Sequence, residues 1–368
     1  MIYLNYAGLC PTNDDVAREV DATLAEFKSL LFSDPGVQWF RQTLEECRQK
    51  IAKVFNLADA TSLAFVPNAS TANKLVLASL DWSPGDGIIT SAHENPSIMH
   101  ELRVRQHRGT PLHIVRESSE REFISRLTQL TDTHQIKAIV LSHVSHVDGR
   151  MYPIQAIAQL ARSKNILFAV DGTQAVGHIP VDVDRLGCDA YFFSGHKWCC
   201  GPMGIGALAV SENYGRVNPT FDSECRREGR TKAQGFEIGT LNIGLIAGLA
   251  KSCALRERDG TDTSKLQQLR NVAKGVLTTR KDIHILEWNE SQTPGILTFE
   301  CTNIIDGNEV ANTLYARWGI AVKHFQDYPE LKRPTIRLSC SATTKEEDLL
   351  FALDKIGECL DESTKEKP

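Results

Sequence analysis

The chain has 368 residues, enough for two domains and a well-buried core. Its composition, 42% hydrophobic and 24% charged, is that of an ordinary globular protein, and a net charge of −5 gives no ground for a nucleic-acid partner or an anionic membrane surface. No apolar run reaches the roughly 18–20 residues of a membrane span. The opening MIYLNYAG lacks the basic and then apolar pattern of a secretory signal, so a cytoplasmic location is expected. The 10 cysteines show no framework spacing and no C-x-x-C unit, and the adjacent Cys199 and Cys200 cannot easily bridge to each other; free thiols in a reducing compartment are expected.

In chain order, Met1–Pro11 reads as a short strand ending in a turn, and Asp14–Ser29 and Gln38–Phe55 have helical apolar spacing. Ser62–Pro67 is a strand; Asn68-Ala69-Ser70-Thr71 follows it and opens a helical run, Ala72–Leu80. A strand, a polar turn and a helix start make an anion cradle of N–H groups and hydroxyls, although an ordinary N-cap is the plainer reading of that pattern alone. Asp86–Thr90, Leu112–Val115 and Ala138–Leu141 are further strands, alternating with helices at Ile98–His107, Ser119–Leu130 and Pro153–Ser163. Such alternation indicates a mostly parallel sheet covered on both faces. Tyr214–Gly239 is polar, loop-like and rich in arginine. Helical character from Ile243 to about Leu277 is broken at Gly260. Strands (His284–Trp288, Ile296–Glu300, Ile320–Val322, Thr335–Leu338) and helices (Gly307–Ala316, Lys345–Leu360) then suggest a smaller α+β domain, and Asp361–Pro368 reads as a frayed polar tail. The expected division is an N-terminal segment at 1–13, a large domain at 14–250 and a small domain at 251–368.

The chain is organised around Ile166–Val210. Two apolar runs, Ile166–Val170 and Ala190–Phe193, read as buried parallel strands. The first delivers Asp171 and Gln174 at its carboxyl end, and the second delivers Ser194, His196 and Lys197. Ligands of open α/β sheets lie outside the carboxyl ends of the strands, so one ligand meets both sets. An acid, a hydroxyl and a lysine arriving together point to pyridoxal 5′-phosphate (PLP), with Lys197 as Schiff-base nucleophile and Asp171 facing the pyridine nitrogen. A lone lysine is usually a surface residue, but one following a buried strand within Ser-Gly-His-Lys-Trp is partly desolvated, which suits it to this chemistry. His93, after the strand Asp86–Thr90, is either a core histidine or a ring stacked on a planar cofactor. His143 and His146 lack an accompanying cysteine or carboxylate cluster, so no metal centre is expected. Gly201-Pro202-Met203-Gly204-Ile205-Gly206 opens a strand rather than a helix and is no dinucleotide fingerprint.

From Tyr3-Leu4-Asn5 to Arg337-Leu338-Ser339 the chain resembles the class V aminotransferase family of fold-type I PLP enzymes. The most specific pieces are Asp171-Gly172-Thr173-Gln174-Ala175 and Ser194-Gly195-His196-Lys197. The resemblance implies the PLP-dependent transferase-like α/β fold, with Lys197 as the Schiff-base lysine. It further implies that Asp171 pairs with the ring N–H, Gln174 bonds the phenolic oxygen and His93 stacks on the ring. Ser70, Thr71, Ser194 and His196 would hold the phosphate, with Thr240 reaching the phosphate of the other subunit of a homodimer whose sites lie at the subunit interface. Arg337 would hold the substrate α-carboxylate, with Asn5 and His146 as further substrate contacts; His146 stands where many relatives have asparagine.

Desulfurases of the family carry a nucleophilic cysteine shortly before that arginine. Here Val322–Arg333 has none, and Cys340 falls on the strand after Arg337. Within the family the set most resembles the cystine/cysteine C–S lyases of cyanobacteria. That implies PLP-dependent β-elimination from cystine, and more weakly from cysteine, to pyruvate, ammonia and cysteine persulfide or sulfide. The released sulfur would go to an acceptor or an iron–sulfur apoprotein. Arg226, Arg227, Arg230, Lys323 and Arg333 are the candidates for cystine's distal carboxylate. The alternatives are a cysteine desulfurase or selenocysteine lyase using another thiol, and a non-catalytic scaffold on a PLP fold.

Overall fold

β-Branched and aromatic runs bounded by turn residues become strands throughout. The computed structural model describes residues 1–31, 33–117, 119–211, 233–260, 262–288, 291–302, 306–325, 328, 331 and 333–365, with backbone alone for 363–365. In chain order the strands are β1 (Ile2–Tyr3), β2 (Leu63–Val66), β3 (Gly87–Ser91), β4 (Leu112–Val115), β5 (Ile136–Ser142), β6 (Leu167–Asp171), β7 (Ala190–Ser194), β8 (Gly206–Val210), β9 (Ile283–Leu286), β10 (Ile296–Cys301), β11 (Ile320–Ala321), β12 (Lys323–Phe325) and β13 (Thr335–Ser339). The chain forms two units, one of residues 10–144 and 152–260, the other of residues 1–9, 145–151 and 261–368. The boundary at 250 expected from the sequence falls inside the continuous helix Ile243–Asp259, and the chain divides after Gly260 instead.

The larger unit is a seven-stranded sheet in the order β2-β8-β7-β6-β5-β3-β4. β8 runs antiparallel to both of its neighbours, and the remaining pairs are parallel. Ala138, Val140, Ala169 and Phe192 on one face pack under Ala72, Leu75 and Val76 of the helix Ala69–Ala78 and under Ile98 and Leu102 of the helix Pro96–His107. On the other face Tyr191 and Phe193 meet the Phe55 ring, with centroids 6.0 and 4.9 Å away. Burial on both faces explains why these strands read as unbroken apolar runs. The expected α/β fold, with a mostly parallel sheet between helices, is the one observed.

The helix expected at Gln38–Phe55 begins at Asp34, because the Ser33 hydroxyl caps the Gly36 N–H and Pro35 occupies the first turn. From this helix Arg48 reaches inward and is fully buried. Its Nη1 donates to Glu237 Oε1 at 2.6 Å and to the Leu63 carbonyl, and its guanidinium lies 4.4 Å from the Phe65 ring centre. Glu237 Oε1 also accepts the Phe65 N–H at 3.1 Å, so the pair ties the segment after residue 233 to the edge strand β2. The thiols are not all free as expected: Cys10 and Cys200 form a disulfide, since the backbone of Cys10 runs alongside the turn that carries Cys200. Their separation of 190 residues hides that proximity from any local spacing rule.

The smaller unit has a four-stranded antiparallel sheet, β12-β13-β10-β9, and a parallel pair, β1-β11. Leu297, Phe299, Ile336 and Leu338 pack with Leu349, Leu353 and Ile356 of the helix Glu346–Lys365. That helix runs to Lys365, into the first part of the tail expected to fray; Asp361 and Glu362 there meet Arg280 and Arg317, each at 2.7 Å, and residues 366–368 lie outside the described residues. The arginine-rich stretch at 212–232 lies outside the described residues.

Truncating one partner of the Arg48–Glu237 pair strands a buried charge. Arg48→Met is expected to lose about 3–5 kcal/mol in urea denaturation, and Arg48→Met/Glu237→Gln to recover part of it. Equal losses in the single and double variants would show that packing, not the stranded carboxylate, sets the cost.

Candidate functional site

Parallel strands end on the same side of a sheet, so β2, β3, β5, β6 and β7 bring their carboxyl ends to one edge of the larger unit. The ladder aligns Ser142 with Asp171 and Asp171 with Phe192. That edge collects Ser70, Thr71, His93, Asp171, Gln174, Ser194, His196 and Lys197, all singled out from sequence. Thr240 stands apart on an exposed bend between Glu237 and the helix Ile243–Asp259.

At the start of the helix Ala69–Ala78, Asn68 Oδ1 accepts the Thr71 N–H at 2.9 Å, so the plainer N-cap reading holds. The cap does not stand alone: Ser194 Oγ, at the end of β7, accepts the Ala69 N–H at 3.0 Å, and the Ser194 N–H donates to Thr173 Oγ1 at 3.2 Å. Ser70 Oγ bonds Ser97 Oγ at 2.7 Å, joining the first turns of two helices. A cluster of hydroxyls thus lines a helix N-terminus, the ready-made setting for a phosphate. His196 is half-buried, and burial, with the neighbouring Lys197 charge, lowers its pKa; its Nδ1 has no hydrogen-bond partner among the described residues.

Asp171 Oδ1 accepts the Thr173 N–H at 2.9 Å. Burial raises the Asp171 pKa, opposed by the Thr173 bonds and the Lys197 charge, which places the lysine within electrostatic reach of the carboxylate. A Cβ on Gly172 would lie 2.1 Å from the Tyr191 ring, so glycine is required for that ring to pass beneath the chain. The Tyr191 hydroxyl then bonds His143 Nδ1 at 2.9 Å, and burial drives the His143 pKa down to about 4. Gln174 Oε1 accepts the Trp198 indole N–H at 2.6 Å, and Trp198 stacks on His178 with centroids 3.7 Å apart.

Glu94 and Trp198 escaped the sequence reading. Glu94 is buried and accepts from Ser91 Oγ at 2.6 Å, from the Ser142 N–H at 2.9 Å and from Ser142 Oγ at 2.6 Å. Burial pushes its pKa to about 7 against those bonds, and Asp171 adds to the rise. The usable signal was an acid directly after a strand end, beside His93.

In the smaller unit, Arg337 sits on β13, paired with Thr298 of β10 and Lys323 of β12. Its Nη1 donates to the His146 carbonyl and its Nη2 to Asn5 Oδ1 at 2.9 Å, while the buried Nε has no partner among the described residues. Asn5, His146 and Arg337 are therefore brought together. The His146 ring lies 5.9 Å from both Phe325 and Tyr328. Of the basic residues weighed for a second carboxylate, Lys323 is half-buried with Nζ 5.6 Å from the Phe325 ring centre, Arg333 is exposed, and Arg226, Arg227 and Arg230 lie outside the described residues.

A sheet with one reversed strand, carrying an acid, a lysine and a hydroxyl-lined helix start on its carboxyl edge, defines the fold-type I class of PLP-dependent enzymes. Residues 2–348 match the family model "Aminotransferase class-V", and the chain belongs to that family. The cysteine desulfurase IscS of Proteus mirabilis (strain HI4320) is 28% identical over 96% of this chain and 91% of its own. The cystine C–S lyase C-DES, solved in complex with its reaction product cysteine persulfide, superposes with a TM-score of 0.84 at 23% identity, covering 97% of each chain. An apo cysteine desulfurase from Thermococcus onnurineus NA1 gives 0.85 at 22% identity, over 98% of this chain and 95% of its own. The cofactor is PLP. The buried, unpartnered His196 Nδ1 and the hydroxyls at a helix N-terminus fit its phosphate, and the buried Asp171 fits a protonated ring nitrogen.

The buried titratable groups fix opposing pH dependences. The lowered His143 pKa gives stability that is present above the ordinary value of about 6.5 and lost as pH falls toward about 4. The raised Glu94 pKa gives stability that is present below about 4.3 and lost as pH rises through about 7. Between about pH 4.5 and 6.5, His143→Gln should therefore flatten the rise of Tm with pH, and Glu94→Gln should steepen it. Thermal melts across that window check both signs; profiles parallel to the parent protein would refute the assignments.

Proposed function

We propose that the protein is a PLP-dependent C–S β-lyase that cleaves cystine, and more slowly cysteine, and works as a cytosolic homodimer. The observation that carries this reading is the state of the thiols. Among the described residues Cys10 and Cys200 are paired, and Cys47, Cys188, Cys199, Cys253, Cys301, Cys340 and Cys359 are all buried. Burial raises the thiols of Cys47 and Cys359 to about 11 and those of Cys301 and Cys340 to about 12. A sulfur acceptor has to be an accessible thiolate, and none of the seven buried thiols is one. Elimination needs no protein thiol. The names of the relatives, cysteine desulfurase and cystine C–S lyase, support a sulfur amino acid as substrate.

Ser70, Thr71, Ser194 and His196 would hold the phosphate, Thr240 of one protomer would reach the phosphate bound by the other, and His93 would lie against the ring. The exposed Ile238, beside Thr240, supports a subunit contact there. When bound, PLP supplies the electron sink for a carbanion at Cα. Lys197 would hold the cofactor and would take the proton from the substrate's Cα. Asp171 would keep the ring nitrogen protonated, and Gln174 would bond the phenolic oxygen. Arg337 presents Nε and Nη2, one edge of its guanidinium, to the substrate α-carboxylate, with Asn5 and His146 fixing that edge. Lys323, opposite Arg337 in the ladder, offers the counter-charge for cystine's distal carboxylate. Cystine and water give pyruvate, ammonia and cysteine persulfide, a source of sulfur for an acceptor or an iron–sulfur apoprotein.

The rival reading, a desulfurase, rests on Cys225, the one cysteine outside the described residues. An assay of PLP-loaded protein with cystine and with cysteine, following pyruvate and sulfur products separately, decides between them. Pyruvate with thiol persulfide from cystine is expected, falling by about 10³-fold or more in Lys197→Ala and staying within about twofold in Cys225→Ala. Alanine with a protein persulfide that disappears in Cys225→Ala would overturn the lyase reading.

A further inference from the structure

A glutamine side chain can present either its carbonyl or its NH₂ group, and the two ends are nearly equal in shape but opposite in hydrogen-bonding sense. A phenolic oxygen that carries negative charge needs the NH₂. The decision comes from Trp198, the residue after Lys197. An indole N–H only donates, so the atom 2.6 Å from Trp198 Nε1 has to be the Gln174 oxygen. Both side chains are buried, at 4% and 5% exposure, where turning the amide would set two donors against each other.

Trp198 is itself fixed. His178 stacks on its ring at 3.7 Å with the planes 13° apart, and His178 Nδ1 lies 3.0 Å from the backbone carbonyl oxygen of Gln174. His178 is fully buried, so it stays neutral and carries its proton on the nitrogen facing that carbonyl. Gly177, at φ +80°, lets the turn close on the Trp198 backbone; a Cβ there would lie 2.7 Å from the Trp198 carbonyl oxygen. Gln174 is thus gripped at its backbone carbonyl by His178 and at its side-chain oxygen by Trp198.

We infer that Trp198 is a positioning residue that holds the Gln174 amide with its NH₂ end toward the cofactor's phenolic oxygen. The inference rests on the proposed placement of Gln174 at that oxygen. A donor to the phenolic oxygen favours the deprotonated form of the Schiff-base nitrogen beside it, so loss of the donor raises the pH midpoint of the cofactor's visible absorbance.

The test titrates that absorbance in reconstituted holoprotein and measures PLP affinity for the parent, Gln174→Ala, Trp198→Phe and the double variant. Gln174→Ala is expected to raise the midpoint by about half a unit or more. Trp198→Phe, which keeps a ring against His178, should move it in the same direction by at least half as much. The double variant should match Gln174→Ala alone, because the indole acts through the amide. Additive shifts, or an unmoved Trp198→Phe midpoint beside a shifted Gln174→Ala, overturn the role of Trp198 and leave Gln174 in place. An unmoved Gln174→Ala midpoint overturns the placement of Gln174 and the inference with it. His178→Leu, which loosens the stack but keeps the indole, carries the test should Trp198→Phe fail to fold; a smaller shift of the same sign is expected, and no shift counts against the inference.

Discussion

The polar side chains of the candidate site stand at the carboxyl edge of the sheet because both faces are closed. Ala138, Val140, Ala169 and Phe192 face one helical layer, while Tyr191 and Phe193 face Phe55. A charge placed mid-strand would have neither water nor a partner, so Asp171, Ser142 and Ser194 stand where the ladder ends. The same closure sets their chemistry. Desolvation is the first cause of the raised Asp171 and Glu94 and of the lowered His143, His178 and His196. One physical cause therefore favours the neutral form of the histidines and makes the acids depend on local donors for their charge.

Those donors come from neighbouring strands and turns rather than from the acid's own segment alone. Glu94 follows β3, but its bonds from Ser142 cross to the end of β5. Asp171 leans on Thr173, whose hydroxyl also accepts from Ser194 at the end of β7. Shifting one strand by a single residue would break several of these links together. The register of β5, β6 and β7 is thus as much a part of the site as the side chains.

The stretch from Ile166 to Val210 was legible because a buried parallel strand writes its burial into sequence as an apolar run, with the functional residues at its carboxyl end. The positions of Lys197, Asp171, Gln174 and Ser194 at that edge follow from the rule. Glu94 and Trp198 do not, since their partners stand 48 and 24 positions away and no local period links them. The start of the second helix was missed because Ser33 and Pro35, not apolar spacing, define it. The C-terminal helix runs past its apolar pattern to Lys365, where Asp361 and Glu362 meet Arg280 and Arg317. Arg337 could be placed on a strand, but the grip of Asn5, 332 positions earlier, belongs to tertiary structure.

Desolvation also links the fold to the choice of reaction. A protein that takes sulfur onto itself needs a thiol that is both exposed and easily ionised. Core packing has the opposite effect on Cys301 and Cys340, whose thiols are lifted to about 12. The strand that fixes Arg337 leads directly into Cys340, and the burial that holds the arginine's aliphatic stem in place also silences the thiol. Among the described residues, no free thiol near that arginine is exposed enough to accept sulfur. A persulfide leaves more readily than a simple thiolate because its conjugate acid is stronger, which favours cystine over cysteine on chemical grounds alone. Lys323 lies opposite Arg337 in the β12–β13 ladder, half-buried beside the Phe325 ring.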